Sequence, residues 1–323
     1  MNGLEQLLLE VKELRTKGDN QAAGVLLTPA IDVACEQHDP RAADLLNERG
    51  IVRRMQQRYD DAFGDYQKAF EVSISNEQKA AALINQADVY RVARNDNSHA
   101  HTSLDEALTY AGNGTLLHAK AVDQRGLVFF GEKQYDHAIA SFKRAREFCE
   151  HLLETNADDK DVQNRFTQAV LHLGTAYVWM KDPAKVDEAY ECLNTSLRTF
   201  RKLGDVNGMT NAVMNLGKIA AIKKDYAQAI TQYEQALVTM TGIADTRAVT
   251  VLNLYLAQAH FALENNQQGV TYLQRFTEGV LRDEITPNDR KVLQEEFAAV
   301  ADRYDNNMPL KVENFDQIRA LFD

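Results

Sequence analysis

A phrase of small and aromatic residues returns seven times along this chain, and it limits the fold more than any other feature. The phrase reads Tyr-(Asp or Ala)-x-Ala, then an aromatic residue four positions later and a second alanine three positions after that. It is clearest at Tyr59–Ala69, Tyr135–Ala145 and Tyr226–Ala236. Steps of 40, 38, 38, 51, 40 and 40 residues separate the seven copies, and the weaker ones centre on Ala22, Ala100, Ala189 and Gly269. Tandem spacing of this kind predicts a solenoid of stacked supersecondary units.

Ahead of these copies lies a second phrase, an apolar run built around one small residue. In four repeats that residue is a glycine: Gly50, Gly126, Gly174 and Gly217. Glycine inside a helix costs about 1 kcal/mol relative to alanine, so its repeated use needs a packing reason. Two antiparallel helices that cross closely leave room only for a small residue beside an aromatic ring of the partner. Each repeat is therefore predicted to be a helix hairpin.

Taken together, Leu, Gly and an aromatic in the first phrase and Ala, an aromatic and Ala in the second resemble the tetratricopeptide repeat. The resemblance runs from about residue 4 to about residue 280. Its period near 40 is similar to the longer variety found in kinesin-light-chain-type adaptors and bacterial cytoplasmic peptide-pheromone receptors. It implies an all-α fold, a right-handed superhelical solenoid of about seven antiparallel helix hairpins. The 51-residue step contains the acidic segment 154–161, which is expected to form an extended turn.

The chain divides into a predicted repeat array, residues 1–283, and a C-terminal part, residues 284–323. Thr286-Pro287 offers a helix cap followed by proline in the first turn. The helix after it is expected to cover the open end of the solenoid with one apolar face: Leu293, Phe297, Val300 and Tyr304. The amphipathic tail from Lys311 to Asp323 has three interpretations: it caps the stack, occupies the groove, or mediates a homodimer.

Composition narrows the partners and the compartment. Lys and Arg number 36 against 47 Asp and Glu, a formal charge of −11. An acidic surface repels phosphate, so neither nucleic acid nor an anionic membrane is an expected partner. The chain starts without the basic region of a signal peptide, and no apolar run approaches the roughly 18 residues of a membrane helix. Cys35, Cys149 and Cys192 are scattered without a CxxC pair, as a reducing compartment permits, so the predicted location is cytoplasmic.

Signatures of catalysis are missing from the sequence. Gly217-Lys218 lacks the preceding glycines of a phosphate loop, and His99-Ala100-His101 lacks a third metal ligand at a suitable spacing. We therefore expect no catalytic residue, no cofactor and no metal. The leading hypothesis is a scaffold or adaptor that binds a protein or peptide. The alternatives are a cytoplasmic peptide-sensing regulator, disfavoured because the repeats begin close to Met1, and an enzyme or a subunit of one.

The resemblance places the ligand on the concave face, which is lined by the first helix of each hairpin. Aligning these helices on their small residues predicts a groove that is polar and basic in its N-terminal half and apolar further on. Asn85 and Asn215 precede the small residue by two positions, where peptide-binding relatives use an amide to hold the ligand backbone. The candidate binding residues are Asn47, Arg54, Asn85, Arg91, Phe130, Trp179, Asn211, Asn215, Lys218 and Phe261.

A simpler interpretation competes with this groove. The arginines would pair with neighbouring acids, and Trp179 and the other apolar residues would belong to the hairpin core. The carboxylate clamp of chaperone-binding relatives is missing in either case. Where that clamp needs lysines, the chain has Asn47, Asp123, Leu171 and Met214.

Overall fold

A computed structural model describes residues 3–282, 285–307 and 311–322. The predicted boundary between residues 283 and 284 lies outside the described residues. The described ranges form α-helices joined by short turns, with a single 3₁₀ turn at Pro183–Lys185 and no β-strand. The helices are α1 (Gly3–Thr16), α2 (Asn20–Glu36), α3 (Ala42–Met55), α4 (Tyr59–Val72), α5 (Asn76–Val92), α6 (Asn97–Tyr110), α7 (Leu116–Gly131), α8 (Tyr135–Thr155), α9 (Lys160–Trp179), α10 (Val186–Leu203), α11 (Val206–Ile222), α12 (Tyr226–Gly242), α13 (Thr246–Ala262), α14 (Asn266–Leu281), α15 (Pro287–Asn307) and α16 (Phe315–Arg319).

Helices α1 to α14 pair in sequence as seven hairpins, which confirms the predicted solenoid. The glycines do what their register predicted. A Cβ atom at Gly126 would lie 2.5 Å from the Phe142 ring, and one at Gly217 would lie 2.5 Å from the Tyr233 ring. Because real Cβ atoms do not approach so closely, these positions accept only glycine without a shift of the ring.

Aspartates set the starts of the helices. Asp19, Asp96 and Asp245 each accept a hydrogen bond from the backbone amide three residues later, at 2.9–3.0 Å. This contact satisfies an amide that the first turn of a helix leaves without a partner. Hairpin turns can therefore be short, and successive first helices lie side by side.

The long step of the repeat is taken up by helix rather than by an extended turn. α8 has 21 residues and α9 has 20, whereas the helices of the other hairpins have 14 to 18. Only residues 156–159 remain between α8 and α9. The predicted extended turn over 154–161 is therefore wrong, because both ends of that segment continue as helix.

The superhelix closes on itself, so that the first two hairpins meet the start of α13 and the turn before it. The Gln57 side chain, between α3 and α4, donates a hydrogen bond to Thr246 Oγ1 at 3.1 Å, across 189 residues of sequence. Nearby, the turn at Gly18 packs against Ile243, between α12 and α13. The concave face is consequently the wall of a channel, with the inner helices α1, α3, α5, α7, α9, α11 and α13 around it.

Helix α15 covers the last hairpin, as predicted for the capping helix. It packs on α13, and Leu293, Phe297 and Val300 are buried. The tail folds onto the same core, with the Phe322 ring stacked on Phe297 at 4.3 Å between centroids. Four apolar residues of the tail are buried within the chain: Val312, Phe315, Ile318 and Phe322. The interpretation of the tail as a homodimer contact stays untested. Among the described residues, no helix has both the length and the apolar character needed to span a bilayer.

Candidate functional site

The channel contains two compartments with different chemistry. The first, which we call the basic chamber, has a volume of about 780 Å³ and is lined mainly by α1, α3, α5, α7, α9 and α11, with Arg247 of α13. Seven cationic side chains face it against four carboxylates, so its interior is positive although the whole chain carries −11. The cations are Lys12, Arg15, Arg54, Arg91, Lys120, Arg165 and Arg247.

Two predicted arginines line this chamber while paired with Asp88 of α5, Arg54 from the neighbouring helix α3 and Arg91 from α5 itself. Arg54 Nε lies 3.1 Å from the Asp88 carboxylate, and Arg91 Nη2 donates to the same group at 2.5 Å. Burial opposes the ionisation of Asp88, but the two guanidinium groups outweigh it and lower the pKa of this carboxyl to about 2. Arg54 and Arg91 therefore line the chamber and are also paired with an acid, so these two interpretations do not exclude each other.

Asn47 and Asn85 lie beneath the chamber rather than in it. Asn85 Nδ2 donates to Asn47 Oδ1 at 3.3 Å, and Asn85 Oδ1 accepts from Lys120 Nζ at 3.0 Å. Both asparagines are buried. Their amides join α3, α5 and α7, and their predicted role as direct ligand contacts stays a prediction.

Lys120 is the residue that sequence reasoning missed. It stands between the buried Ala119 and Ala121 on α7, and its ammonium faces the chamber. Alignment on Gly126 directed attention to Asp123, which is buried and accepts a hydrogen bond from His172 at 2.9 Å. The sequence signal that could have identified Lys120 is a lysine one turn before Asp123 and between two alanines.

Asn211 and Asn215, both on α11, line the chamber as predicted. Asn211 is exposed to the channel and Asn215 is half-buried. The Asn215 amide donates to the Asn211 carbonyl of its own helix at 2.9 Å. These side chains add hydrogen-bonding groups to a wall that is otherwise cationic.

The second compartment, which we call the aromatic pocket, has a volume of about 490 Å³ and is walled on one side by α15. Lys218 Nζ lies 3.3 Å from the centroid of the Trp179 ring and 4.3 Å from that of Tyr255. Its nearest carboxylate oxygen, on Glu296, is 3.9 Å away. Burial lowers the pKa of Lys218 to about 7, against the opposing effect of Glu296.

The two predicted phenylalanines lie behind these walls. Phe130 is half-buried and meets the Trp179 ring edge-on, with 6.0 Å between centroids. Phe261 is fully buried in the last hairpin, where a Cβ atom at Gly269 would overlap its ring. The predicted groove position of Phe261 is therefore wrong, because this ring fills the space that glycine leaves in α14.

Helix α15 also reaches across the channel, which the sequence did not predict. Glu295 accepts hydrogen bonds from Lys133 at 3.1 Å and from Lys181 at 2.7 Å. The hydrogen bond from Lys181, followed by that from Lys133, lowers the pKa of Glu295 to about 2. The capping helix thus joins the last hairpin to the fourth and fifth.

Metal binding finds no support in this geometry. Within the ranges that the structure describes, no three His, Cys, Asp or Glu side chains are grouped to hold an ion. The two histidines of the His99-Ala100-His101 segment have separate partners, Asp96 and Glu132.

Comparison with known proteins fits the paired helices. Residues 8–73 match the sequence profile of the tetratricopeptide repeat family. Residues 8–73 therefore carry the tetratricopeptide-repeat pattern, and the described residues have the fold of a tetratricopeptide-like solenoid. No curated protein sequence matches it.

Two solved structures resemble this solenoid over nearly all of its length. One is a Rap protein complexed with competence and sporulation factor, 13% identical, with a TM-score of 0.63 over 98% of this chain and 87% of that one. The other is the APC/C hetero-tetramer Cut9–Hcn1, 15% identical, with a TM-score of 0.62 over 100% of this chain and 57% of that one. At such identities the likeness concerns the tetratricopeptide-repeat fold alone.

Proposed function

We propose that the chain is a non-catalytic binding module, a scaffold or adaptor that holds a short segment of a protein or peptide in its channel. The observation that carries this proposal is the basic chamber. Its volume of about 780 Å³ lies within the roughly 300–1,000 Å³ typical of ligand sites. A channel compartment of this size suits an extended segment better than a folded domain.

The chemistry of the wall supports the same ligand class. An extended peptide exposes an amide and a carbonyl at every residue, and it needs donors and acceptors along its path. Asn211 and Asn215 supply both kinds of group, and the arginines supply donors that carry charge. The similar solenoids were solved with partners, competence and sporulation factor for Rap and Hcn1 for Cut9, which is consistent with a binding role.

The test is a binding screen with a matched pair of variants. A library of fluorescent, N-acetylated and C-amidated pentapeptides is screened by anisotropy against the wild type, Asn215→Phe and Asn194→Phe. Asn194 lies on the outer helix α10 and, like Asn215, donates to the carbonyl four residues earlier. We expect binding by the wild type, a loss of about tenfold or more with Asn215→Phe, and no change with Asn194→Phe. Equal binding by both variants would place the ligand outside the chamber.

A peptide-sensing regulator is the second candidate, and the closure of the superhelix favours it. The seam between Gln57 and Thr246 is a single exposed hydrogen bond, and the Lys133–Glu295 contact across the channel is also exposed. A ligand that changes the channel width would alter both contacts. Hydrogen exchange measured with and without bound peptide tests this, since unchanged exchange at the seam would favour a passive scaffold.

The proposed compartment is the cytoplasm. Cys35, Cys149 and Cys192 are all free thiols, and Cys149 is buried. Free thiols persist where the environment is reducing. Labelling of intact cells with an impermeant thiol reagent, compared with labelling of lysed cells, tests this location.

A further inference from the structure

Lys120 carries a charge for which the chain supplies no counterion. Its Nζ donates to Asn85 Oδ1 at 3.0 Å, and that amide is neutral. Among the described residues, no carboxylate lies within 4.0 Å of the ammonium. An ammonium has three N–H donors, so Asn85 leaves it with unused capacity.

Every carboxylate near Lys120 is already committed to another cation. On α3, Glu48 lies 3.3 Å from Arg15 of α1. On α5, Asp88 is shared by two arginines, as described above. On α7 itself, Asp123 lies 3.4 Å from Arg165 of α9 and 2.9 Å from His172. The cations around Lys120 therefore already match or outnumber these carboxylates without it.

The asparagine chain beneath Lys120 holds the ammonium in place. Asn85 is itself bonded to Asn47, and both are buried between inner helices. A lysine fixed by neutral partners at a chamber wall is pre-organised for an anionic group, because little side-chain freedom is left to lose on binding.

We propose that Lys120 is the recognition point for a carboxylate of the bound segment, an aspartate or glutamate side chain, with Arg165 on the same wall. This inference rests on the proposed function and names its ligand class as an acidic peptide. Burial, followed by Arg165 and Arg15, lowers the pKa of Lys120 to about 7, against the opposing effects of Glu48 and Asp88. A carboxylate beside the ammonium raises that pKa again, so Lys120 takes up a proton when the acidic peptide binds above pH 7.

The first experiment separates the charge from the shape of the ligand. Pentapeptides selected in the screen are made as pairs with Glu or Gln at one position, two side chains of nearly the same shape. For the wild type we expect the Glu peptide to bind about tenfold or more tightly. Lys120→Met should bring the Glu peptide to the level of its Gln twin. Lys143→Met, an exposed lysine on the outer helix α8, should leave the ratio unchanged.

The second experiment detects the proton. Calorimetry at pH 8 in two buffers of different ionisation enthalpy should show that the wild type takes up most of one proton with the Glu peptide and none with the Gln peptide. Lys120→Arg should still prefer the Glu peptide without taking up a proton, because arginine stays charged in proteins. At pH 5.5 the wild type should take up none, since Lys120 is already protonated there.

The outcomes distinguish this inference from the proposed function. If Glu and Gln peptides bind the wild type equally, the carboxylate site is wrong and the binding module stands. If Lys120→Met folds with an unchanged melting temperature and keeps the Glu preference, another residue binds the carboxylate and the assignment to Lys120 is wrong. If no peptide binds the wild type, both proposals fall together.

Discussion

The basic chamber and the aromatic pocket each contain a buried lysine, and they treat it differently. In both, burial lowers the lysine pKa to about 7. Lys218 lies between two aromatic rings and 3.9 Å from Glu296, so its countercharge comes from the chain. Lys120 has only the amide of Asn85. The aromatic pocket therefore contains a carboxylate beside its lysine, whereas the basic chamber has only a neutral amide there.

Helix α15 is the reason for the difference. It packs on α13 and brings Glu296 to the aromatic pocket. At the start of α15, near the chamber, Asp289 is buried and paired with Arg247, so this carboxylate is not available to Lys120. The segment after the repeats therefore supplies a carboxylate to Lys218 and leaves Lys120 open to a ligand.

The largest predicted effect comes from releasing α15. Phe297 is buried and stacks on Phe322, so Phe297→Ala should lower the free energy of unfolding by about 3–5 kcal/mol. The loosened helix should also withdraw Glu296 and make Lys218 resemble Lys120. Urea denaturation followed by circular dichroism measures the loss. Val238→Ala, at an exposed position on α12, should stay within about 0.5 kcal/mol of the wild type.

The next prediction concerns pH. Below about pH 7 both lysines are protonated in the folded and unfolded chain, and the full penalty of burying the charge is present. Between about pH 7 and 10 the folded lysines lose their protons while the unfolded chain keeps its own, so stability rises with pH from this source. Lys120→Met should remove its share, making the gain from pH 6 to pH 10 smaller by about 4 kcal/mol. An equal gain in wild type and variant would contradict the shifted pKa.

Local parts of the fold and site could be read from the sequence, whereas long-range parts could not. Register on glycine predicted channel positions for Asn211 and Arg54, and both line the chamber, because the neighbours that matter lie one hairpin away; their role in binding stays a prediction. The seam at Gln57 and the reach of α15 depend on a small rotation at each hairpin that accumulates over seven repeats. Phe261 was misplaced although Gly269, which replaces the usual alanine of the phrase, was a sign that a ring needed the space.

The direction of polar side chains on the inner helices was harder to predict from the sequence. Side chains of an inner helix can face the channel or the next inner helix, and these directions lie one turn or less apart. Asn47 and Asn85 took the second direction and Asn215 the first. Position relative to the small residue does not separate the two, because the choice depends on what the adjacent helix offers.

A third prediction tests whether Lys218 and Glu296 form a unit. Lys218→Met leaves a buried carboxylate without its cation, so it should destabilise the fold more than Lys218→Met combined with Glu296→Gln. The coupling energy from the double-mutant cycle should be about 1–3 kcal/mol by urea denaturation. No such cycle is expected for Lys120 with Glu48, since Glu48 is paired with Arg15. Equal coupling in both cycles would erase the distinction between the compartments.

The smallest predicted effect is spectroscopic. Trp179 is the only tryptophan, and the Lys218 ammonium lies over its ring, so its emission should change as pH passes through about 7. Lys218→Met should abolish this titration because the nearby proton is gone, and Lys120→Met should preserve it because that residue lies in the other compartment. Steady-state fluorescence from pH 5 to pH 9 records the curve. A titration lost in Lys120→Met instead would mean that the two compartments are coupled. The charge of Lys120 in the basic chamber would then affect the protonation of Lys218 in the aromatic pocket.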